Sequence, residues 1–359
     1  MTKDDLRLDH IGFYVADLTA EAARLSRGYG LAPYSEATAW GCRSVAVGAG
    51  LVRFVLTQPT AGDHPGAAYL GRHGDGVADI ALGVADATAA FRSAVNRGAR
   101  PVSPPCARDG FVTAAVQGVG DVVHTFVQRP EGLDERALPG FAPTPAPMPA
   151  TAGGLDAGLA EVDHLAVCVP SGELGATVDF YRHVLDFQLI FAERITVGDQ
   201  AMTTEVVKSG SVTLTLIEPD VSKEPGHIDE FLAAHGGAGV QHLAMSTADI
   251  TAAVDTTGAG GVEFLPTPAT YYDLLPDRVR PVKYPLAELR ERSILVDEDH
   301  DGQLYQIFAR SAHPRGTFFF ELIERLGARS FGSGNIAALY QAVELQRANH
   351  RDARTEAAA

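Results

Sequence analysis

The chain repeats itself, and the repeat sets the terms for any fold it adopts. Leu8-Asp9-His10-Ile11-Gly12-Phe13-Tyr14-Val15 recurs as Val162-Asp163-His164-Leu165-Ala166-Val167-Cys168-Val169. Val52-Arg53-Phe54-Val55-Leu56-Thr57-Gln58-Pro59 recurs as Val212-Thr213-Leu214-Thr215-Leu216-Ile217-Glu218-Pro219. With one residue of slack, the segment from His73 to Ala81 recurs from His235 to Ala244. Gly120-Asp121-Val122-Val123-His124-Thr125-Phe126 aligns with Gly302-Gln303-Leu304-Tyr305-Gln306-Ile307-Phe308. Matches in the same order along both halves predict duplication of a whole domain. Between the halves, Pro143, Pro145, Pro147, Pro149 and Gly153-Gly154 punctuate a stretch that reads as a linker. The expected division is 1–141, a linker at 142–160, and 161–359.

Within each half the pattern is strand, helix and then several strands, twice over. In the second half, His164 opens an apolar strand, and Val178, Tyr181 and Leu185 share one face of a helix over Leu174–Leu185. Strands are predicted at Gln188–Ala192, Ala201–Lys208 and Ser211–Ile217. A second unit starts at His242, continues through a helix near Thr247–Thr257, and ends in strands near Ser293–Val296, Leu304–Ala309 and Thr317–Ile323. Alternating strand and helix also suits a doubly wound parallel sheet. No GxGxxG follows a first strand, however, and turns such as Ser209-Gly210 read as hairpins. Repeated βαβββ units in an α+β fold fit better.

A chain of 359 residues can bury two real cores, and 46% hydrophobic with 21% charged residues is ordinary globular composition. The net charge of −16 argues against nucleic acid and anionic membrane surfaces as partners. No apolar run is long enough to span a bilayer, and the polar start Met1-Thr2-Lys3-Asp4-Asp5-Leu6 is unlike a signal peptide. Cys42, Cys106 and Cys168 form neither a disulfide framework nor a CxxC motif and read as small buried hydrophobes. A cytoplasmic location is expected. The residues leave the oligomeric state open, a homodimer included.

Three side chains stand out: His164 and His242, each opening a buried strand, and Glu321, directly behind Phe318-Phe319-Phe320. A carboxylate in such a setting is costly to bury unless paired, and a metal is a common partner. Two imidazoles and one carboxylate are the ligand set of non-haem Fe(II) oxygenases, which keep positions open for substrate and O2. A lone histidine on an apolar strand is more often a core residue; the conjunction carries the expectation. The first half has His10 in the place of His164 but Asp79 in that of His242 and Ala78 in that of Gln241. It is therefore read as structural, without a metal. His300 in Asp297-Glu298-Asp299-His300-Asp301-Gly302 reads as a solvated turn, His313 before Pro314 as an exposed loop residue, and His183 as part of a polar helix face with Asp179 and Arg182.

The run Phe318-Phe319-Phe320-Glu321-Leu322-Ile323-Glu324-Arg325, followed by Phe331-Gly332-Ser333-Gly334-Asn335-Ile336-Ala337-Ala338-Leu339-Tyr340, resembles the C-terminal signature of the 4-hydroxyphenylpyruvate dioxygenase family of the vicinal oxygen chelate fold. Gly239-Val240-Gln241-His242, Gly302 to Phe308 and Tyr271-Tyr272-Asp273-Leu274-Leu275 extend the resemblance over nearly the full length. It implies two open-barrel domains, Fe(II) bound by His164, His242 and Glu321, and a last helix closing over the site. It also implies 4-hydroxyphenylpyruvate and O2 as substrates, with the substrate's own 2-oxo acid making 2-oxoglutarate unnecessary.

Members of the family divide by product. Ring attack with side-chain migration gives homogentisate. Benzylic hydroxylation gives 4-hydroxymandelate, a precursor of 4-hydroxyphenylglycine in peptide antibiotics. The dioxygenases typically carry Pro-Leu-Asn-Glu where this chain has Thr215-Leu216-Ile217-Glu218, and often a phenylalanine where Ile336 stands. In both respects the chain is similar to the 4-hydroxymandelate synthases. It departs from both groups at Thr204, where a serine is usual. The resemblance offers Thr204, Thr215, Ile217, Gln241, Gln306, Phe331, Asn335 and Ile336 as substrate contacts. A homogentisate-forming enzyme, a metal-free binding protein on the same fold and an extradiol ring-cleaving dioxygenase remain as alternatives.

Overall fold

The structure, a computed structural model, describes residues 6–144 and 155–339. Pro145, Pro147, Pro149, Gly153 and Gly154 of the expected linker, the chain start up to Asp5, and the closing segment from Tyr340 onward lie outside the described residues.

The βαβββ repetition is borne out. In the first half the elements run β1 (Arg7–Tyr14), α1 (Leu18–Tyr29), β2 (Ala32–Ala39), β3 (Cys42–Ala49), β4 (Val52–Pro59), α2 (Pro65–His73), β5 (Gly76–Gly83), α3 (Ala87–Asn96), β6 (Pro101–Arg108), β7 (Phe111–Gln117) and β8 (Val123–Gln128). The short β9 (Ala142–Pro143) pairs with β2, so the first sheet reaches into the stretch read as linker. The second half runs β10 (Leu159–Cys168), α4 (Leu174–Val184), β11 (Gln188–Val197), β12 (Gln200–Ser209), β13 (Val212–Pro219), α5 (His227–His235), β14 (Gly239–Thr247), α6 (Ile250–Ala259), α7 (Ala269–Arg278), α8 (Leu286–Arg292), β15 (Leu295–Asp299), β16 (Gly302–Phe308) and β17 (Phe319–Leu326). Residues 333–339 are again helical.

The sheet orders are β6-β7-β8-β5-β1-β4-β3-β2-β9 and β11-β12-β13-β10-β14-β17-β16-β15. Superposing them makes β1 the counterpart of β10, β5 of β14, and β8 of β17. The fourth sequence match is thereby corrected. The segment Gly120–Phe126 enters β8, whereas Gly302–Phe308 is β16, whose counterpart is β7. Both matched segments begin with a glycine turn and continue into an apolar strand, so local sequence does not tell one strand of a module from the next.

Alternation along β17 builds the join between the halves. Phe318, just before the strand, and Phe320 point away from the second sheet's concave face. They meet Phe13 (ring centroids 5.4 Å), Tyr29 (4.9 Å) and Phe54 (5.8 Å, stacked) of the first half. His313 is also corrected: it is buried against Phe318 rather than exposed, because the loop carrying it folds into this join. Of the cysteines, Cys168 is buried, Cys42 is half-buried and Cys106 is exposed on β6, the edge strand of the first sheet, so the buried reading holds only for Cys168. His300 lies exposed in its turn and His183 exposed on its helix, as expected.

Candidate metal centre and its cavity

Register decides which side chains face the concave side of the second sheet. Strands β10, β14 and β17 are neighbours, with His164 opposite Ala244 and Ala244 opposite Glu321. His242 lies two residues from Ala244 on β14, hence on the same face. The small Ala244 sits in the middle of the row and leaves space between the imidazole and the carboxylate. Glu321 Oε2 lies 3.6 Å from His164 Nε2 and 3.5 Å from His242 Nε2. The three donor atoms fall within 4.8 Å of one another.

Two β-bulges aim the histidines. In β10 the pairing steps from Val162↔Met245 to His164↔Ala244, leaving Asp163 as the extra residue. In β14 it steps from His242 to Val240 while β10 advances by one, leaving Gln241 extra. A bulged residue escapes strict alternation, so each comes round beside the histidine that follows it. His164 Nδ1 donates to Asp163 Oδ1 at 2.8 Å, and His242 Nδ1 lies 3.3 Å from Gln241 Oε1. Each contact ties up the Nδ1 proton and leaves the Nε2 lone pair directed at the point where Glu321 also arrives. Arg325 forks onto Asp163 at 2.7 and 2.8 Å. Burial opposes ionisation of Asp163, but Arg325 and His164 overcome it and hold the carboxyl well below its usual range. Phe319 stacks on His242 at 4.9 Å, and Phe308 sits edge-on to it at 6.1 Å.

The electrostatics fit a cation. Burial pushes the Glu321 carboxyl up to about 7, only partly offset by His164. Burial, followed by repulsion from His164 and His227, pushes His242 well below its ordinary value. Imidazole nitrogens and a carboxylate that gains by sharing its charge are what a divalent ion of intermediate softness requires. The fourth place of the pseudo-symmetric set is held by Thr215. It stands on β13, the last strand of the first module, as Glu321 stands on β17, the last strand of the second. Its Oγ1 is buried without a hydrogen-bond partner. A threonine there leaves that side of an ion open, where a fourth carboxylate would close it.

A cavity of about 820 Å³ opens from this point. The same register argument lines it. Ile217 pairs with Cys168 and Thr204, while Gln306 and Phe308 on β16 pair with Ile323 and Glu321. Thr204, Thr215, Ile217, Gln241, Gln306, Phe331 and Ile336 all line it beside His164, His242 and Glu321. Ile217 and Ile336 belong to one apolar patch with Ile195, Met202 and Phe231. Phe331 packs edge-on to His164 at 5.3 Å and lies under the Arg325 guanidinium at 5.1 Å.

Asn335 is the exception. It is fully buried away from the cavity, its Oδ1 accepting from Tyr271 Oη at 2.7 Å and Arg278 Nη2 at 3.0 Å. It pins the last helix to α7 instead of facing a ligand. Sequence reasoning also missed lining residues Phe191, Glu193, Phe231, Phe308 and Phe319, and the Asp163–Arg325 fork. The repeated Asp-His pair, Asp9-His10 and Asp163-His164, was the available signal for the fork.

The first half shows the same framework put to other use. Asp9 takes a fork from Arg129 (2.6 and 2.9 Å) and a hydrogen bond from His10 (2.7 Å). In the position of Glu321 stands Thr125, which donates its hydroxyl (2.6 Å) and its backbone N–H (3.1 Å) to Asp79. Tyr14 replaces Cys168 and packs on Tyr69 at 5.4 Å, filling that face.

Comparison with known proteins agrees with this architecture. Models of the Glyoxalase/Bleomycin resistance protein/Dioxygenase superfamily match residues 161–275 and 9–113. The chain is 32% identical over 368 residues to a 4-hydroxyphenylpyruvate dioxygenase of Tetrahymena thermophila, covering 95% of this chain and 90% of the relative. It is 34% identical over 310 residues to that of Dictyostelium discoideum, covering 81% and 83%. A solved structure of a triple mutant of 4-hydroxymandelate synthase from Streptomyces coelicolor superimposes with a TM-score of 0.83 at 40% identity, covering 96% of this chain and 99% of that one. With two duplicated halves of βαβββ modules and identity of this extent over nearly its whole length, the chain belongs to the 4-hydroxyphenylpyruvate dioxygenase family of the vicinal oxygen chelate fold.

Proposed function

We propose that the chain is an Fe(II)-dependent 4-hydroxymandelate synthase, converting 4-hydroxyphenylpyruvate and O2 to 4-hydroxymandelate and CO2 and so supplying a precursor of 4-hydroxyphenylglycine. The observation that carries the choice of product is the apolar patch of Ile217 and Ile336 on the cavity wall. Fe(II) on His164, His242 and Glu321 would keep positions open for the keto and carboxylate oxygens of a 2-oxo acid and for O2, and would supply the oxidising power. The chain's own part is placement. Gln241 and Asp163 hold the imidazole Nε2 atoms forward, and Phe331, Phe308 and Phe319 keep water from the site. Ile217 offers no hydrogen bond that would favour an oxygen developing on the ring. Its branched wall holds the benzylic carbon toward the oxidant, and position decides the product.

The first half is proposed to be a scaffold without metal, because Asp79 already spends its carboxylate on Thr125. The Pro/Gly-rich stretch 142–160 is proposed to join it to the catalytic half. Formation of homogentisate is the second reading, favoured by the names of the curated relatives. Purified protein supplied with Fe(II), 4-hydroxyphenylpyruvate and O2 separates the two. Chromatography should return 4-hydroxymandelate with one CO2 per O2 consumed; homogentisate as the main product would overturn the first reading.

A further inference from the structure

Three buried polar atoms on the cavity wall have no hydrogen-bond partner: Thr215 Oγ1, Gln306 Oε1 and Glu193 Oε2. Thr215 and Gln306 flank the metal-ligand strands. Glu193 does not. It stands on β11, the edge strand, at the end of a row that runs Cys168–Ile217–Thr204–Glu193 across four strands. Its neighbours along the strand on the same face, Phe191 and Ile195, are apolar lining residues. Among the described residues its side chain enters no ion pair and no hydrogen bond. A buried carboxylate oxygen is acceptor-only and costly to leave unmet, so this one calls for a donor brought by the ligand.

We propose that Glu193 accepts the hydrogen bond of the ligand's ring hydroxyl and thereby selects a 4-hydroxylated ring. The inference rests on the reading above for the ligand's class. An aromatic 2-oxo acid carries acceptors and a negative charge at its acid end, and Glu193 repels that end. The ring hydroxyl is the only donor such a ligand has. One carboxylate therefore fixes polarity in the cavity: acid end toward His164, His242 and Glu321, hydroxyl toward β11. Thr204, next in the row, offers a hydroxyl that can complete the contact.

The test is a calorimetric titration without O2, so that no turnover is needed. The Fe(II)-loaded wild type, Glu193→Gln and Glu193→Leu are each titrated with 4-hydroxyphenylpyruvate and with phenylpyruvate. The wild type should bind the hydroxylated acid about ten- to a hundredfold more tightly, the usual range for a hydrogen bond to a charged group. Glu193→Gln should lose most of that preference and Glu193→Leu all of it. Phenylpyruvate binding reports that each variant is folded. A preference that survives in both variants, an equal loss for both acids, or a wild type that binds neither acid would overturn the assignment. The product assay is independent: homogentisate in place of 4-hydroxymandelate would change the reading of the reaction and leave the assignment of Glu193 standing.

Discussion

At the scale of single residues, the candidate metal site is shaped by two side chains outside the His164–His242–Glu321 cluster. Asp163 and Gln241 are bulged residues preceding the two histidines, and each fixes the imidazole through Nδ1. Asp163→Asn should lower metal affinity about 10- to 100-fold, the range for partners of ligating histidines. Asp9→Asn breaks the matching fork in the first half and serves as the control. It should lower the melting temperature without moving the metal titration; equal losses in both variants would mean that the forks only hold the fold. On the proposed reading, Ile217 of the cavity wall steers the choice of product. Ile217→Asn places an amide on the cavity wall beside Thr204 and Cys168, and the homogentisate share should rise. Product ratios unchanged in Ile217→Asn, Ile336→Phe and the double variant would remove the apolar wall as the deciding feature. Both histidines, the glutamate and the isoleucines were legible as residue types in a pattern. The bulges were not, because nothing local announces that Asp163 and Gln241 leave the alternation.

At the scale of elements, β17 and the segment after it serve both the core and the cavity. Phe318 and Phe320 fill the join between the halves while Phe319 and Glu321 face the site. The chain then turns at Gly332, which has φ 76° and packs so closely that a Cβ would run into Gln306 Oε1. Gly332→Ala should push Gln306 off the wall and cut kcat/KM by about tenfold or more, with metal affinity retained. Steady-state kinetics beside a metal titration checks this, and loss of metal binding as well would locate the damage in the fold. Most strands of the second half were legible within a few residues from their apolar runs. The helices α7 and α8 were not. Pro276 lies inside α7, Pro285 caps α8, and both helices are short, so breaker residues masked a helical period. The wrong pairing of Gly120–Phe126 with Gly302–Phe308 has a similar origin, since a glycine turn before an apolar strand looks the same in every βαβββ module.

At the scale of the whole molecule, the halves are joined partly through buried histidines. His124 of β8 lies 3.0 Å from Tyr181 Oη of α4, and burial pushes its pKa down to about 4. His235 stacks on His73 across the join at 4.3 Å and is likewise pushed down to about 4, chiefly by burial. A histidine whose pKa falls on folding binds fewer protons in the folded state. Its neutral form supports the fold above pH 6.5, and that support drains away as pH falls from 6.5 toward 4. For fully buried His124 the loss is on the order of 3 kcal/mol. Thermal melts across this window should show a steep decline that His124→Gln flattens; an unchanged slope would count against the histidine. Among the described residues no helix is long and apolar enough to cross a membrane. The sequence by itself determined the duplication, the βαβββ modules and the identity of two histidines and a glutamate, because periodicity, turn residues and unusual polar positions are local properties of a chain. Only the tertiary structure decided that Asp163 and Gln241 orient those histidines, that Asn335 pins a helix instead of meeting a ligand, and that Glu193 reaches the cavity from the edge of the sheet. Those outcomes depend on register and bulges between strands far apart in sequence, and pairing of that kind is fixed only when the sheet closes.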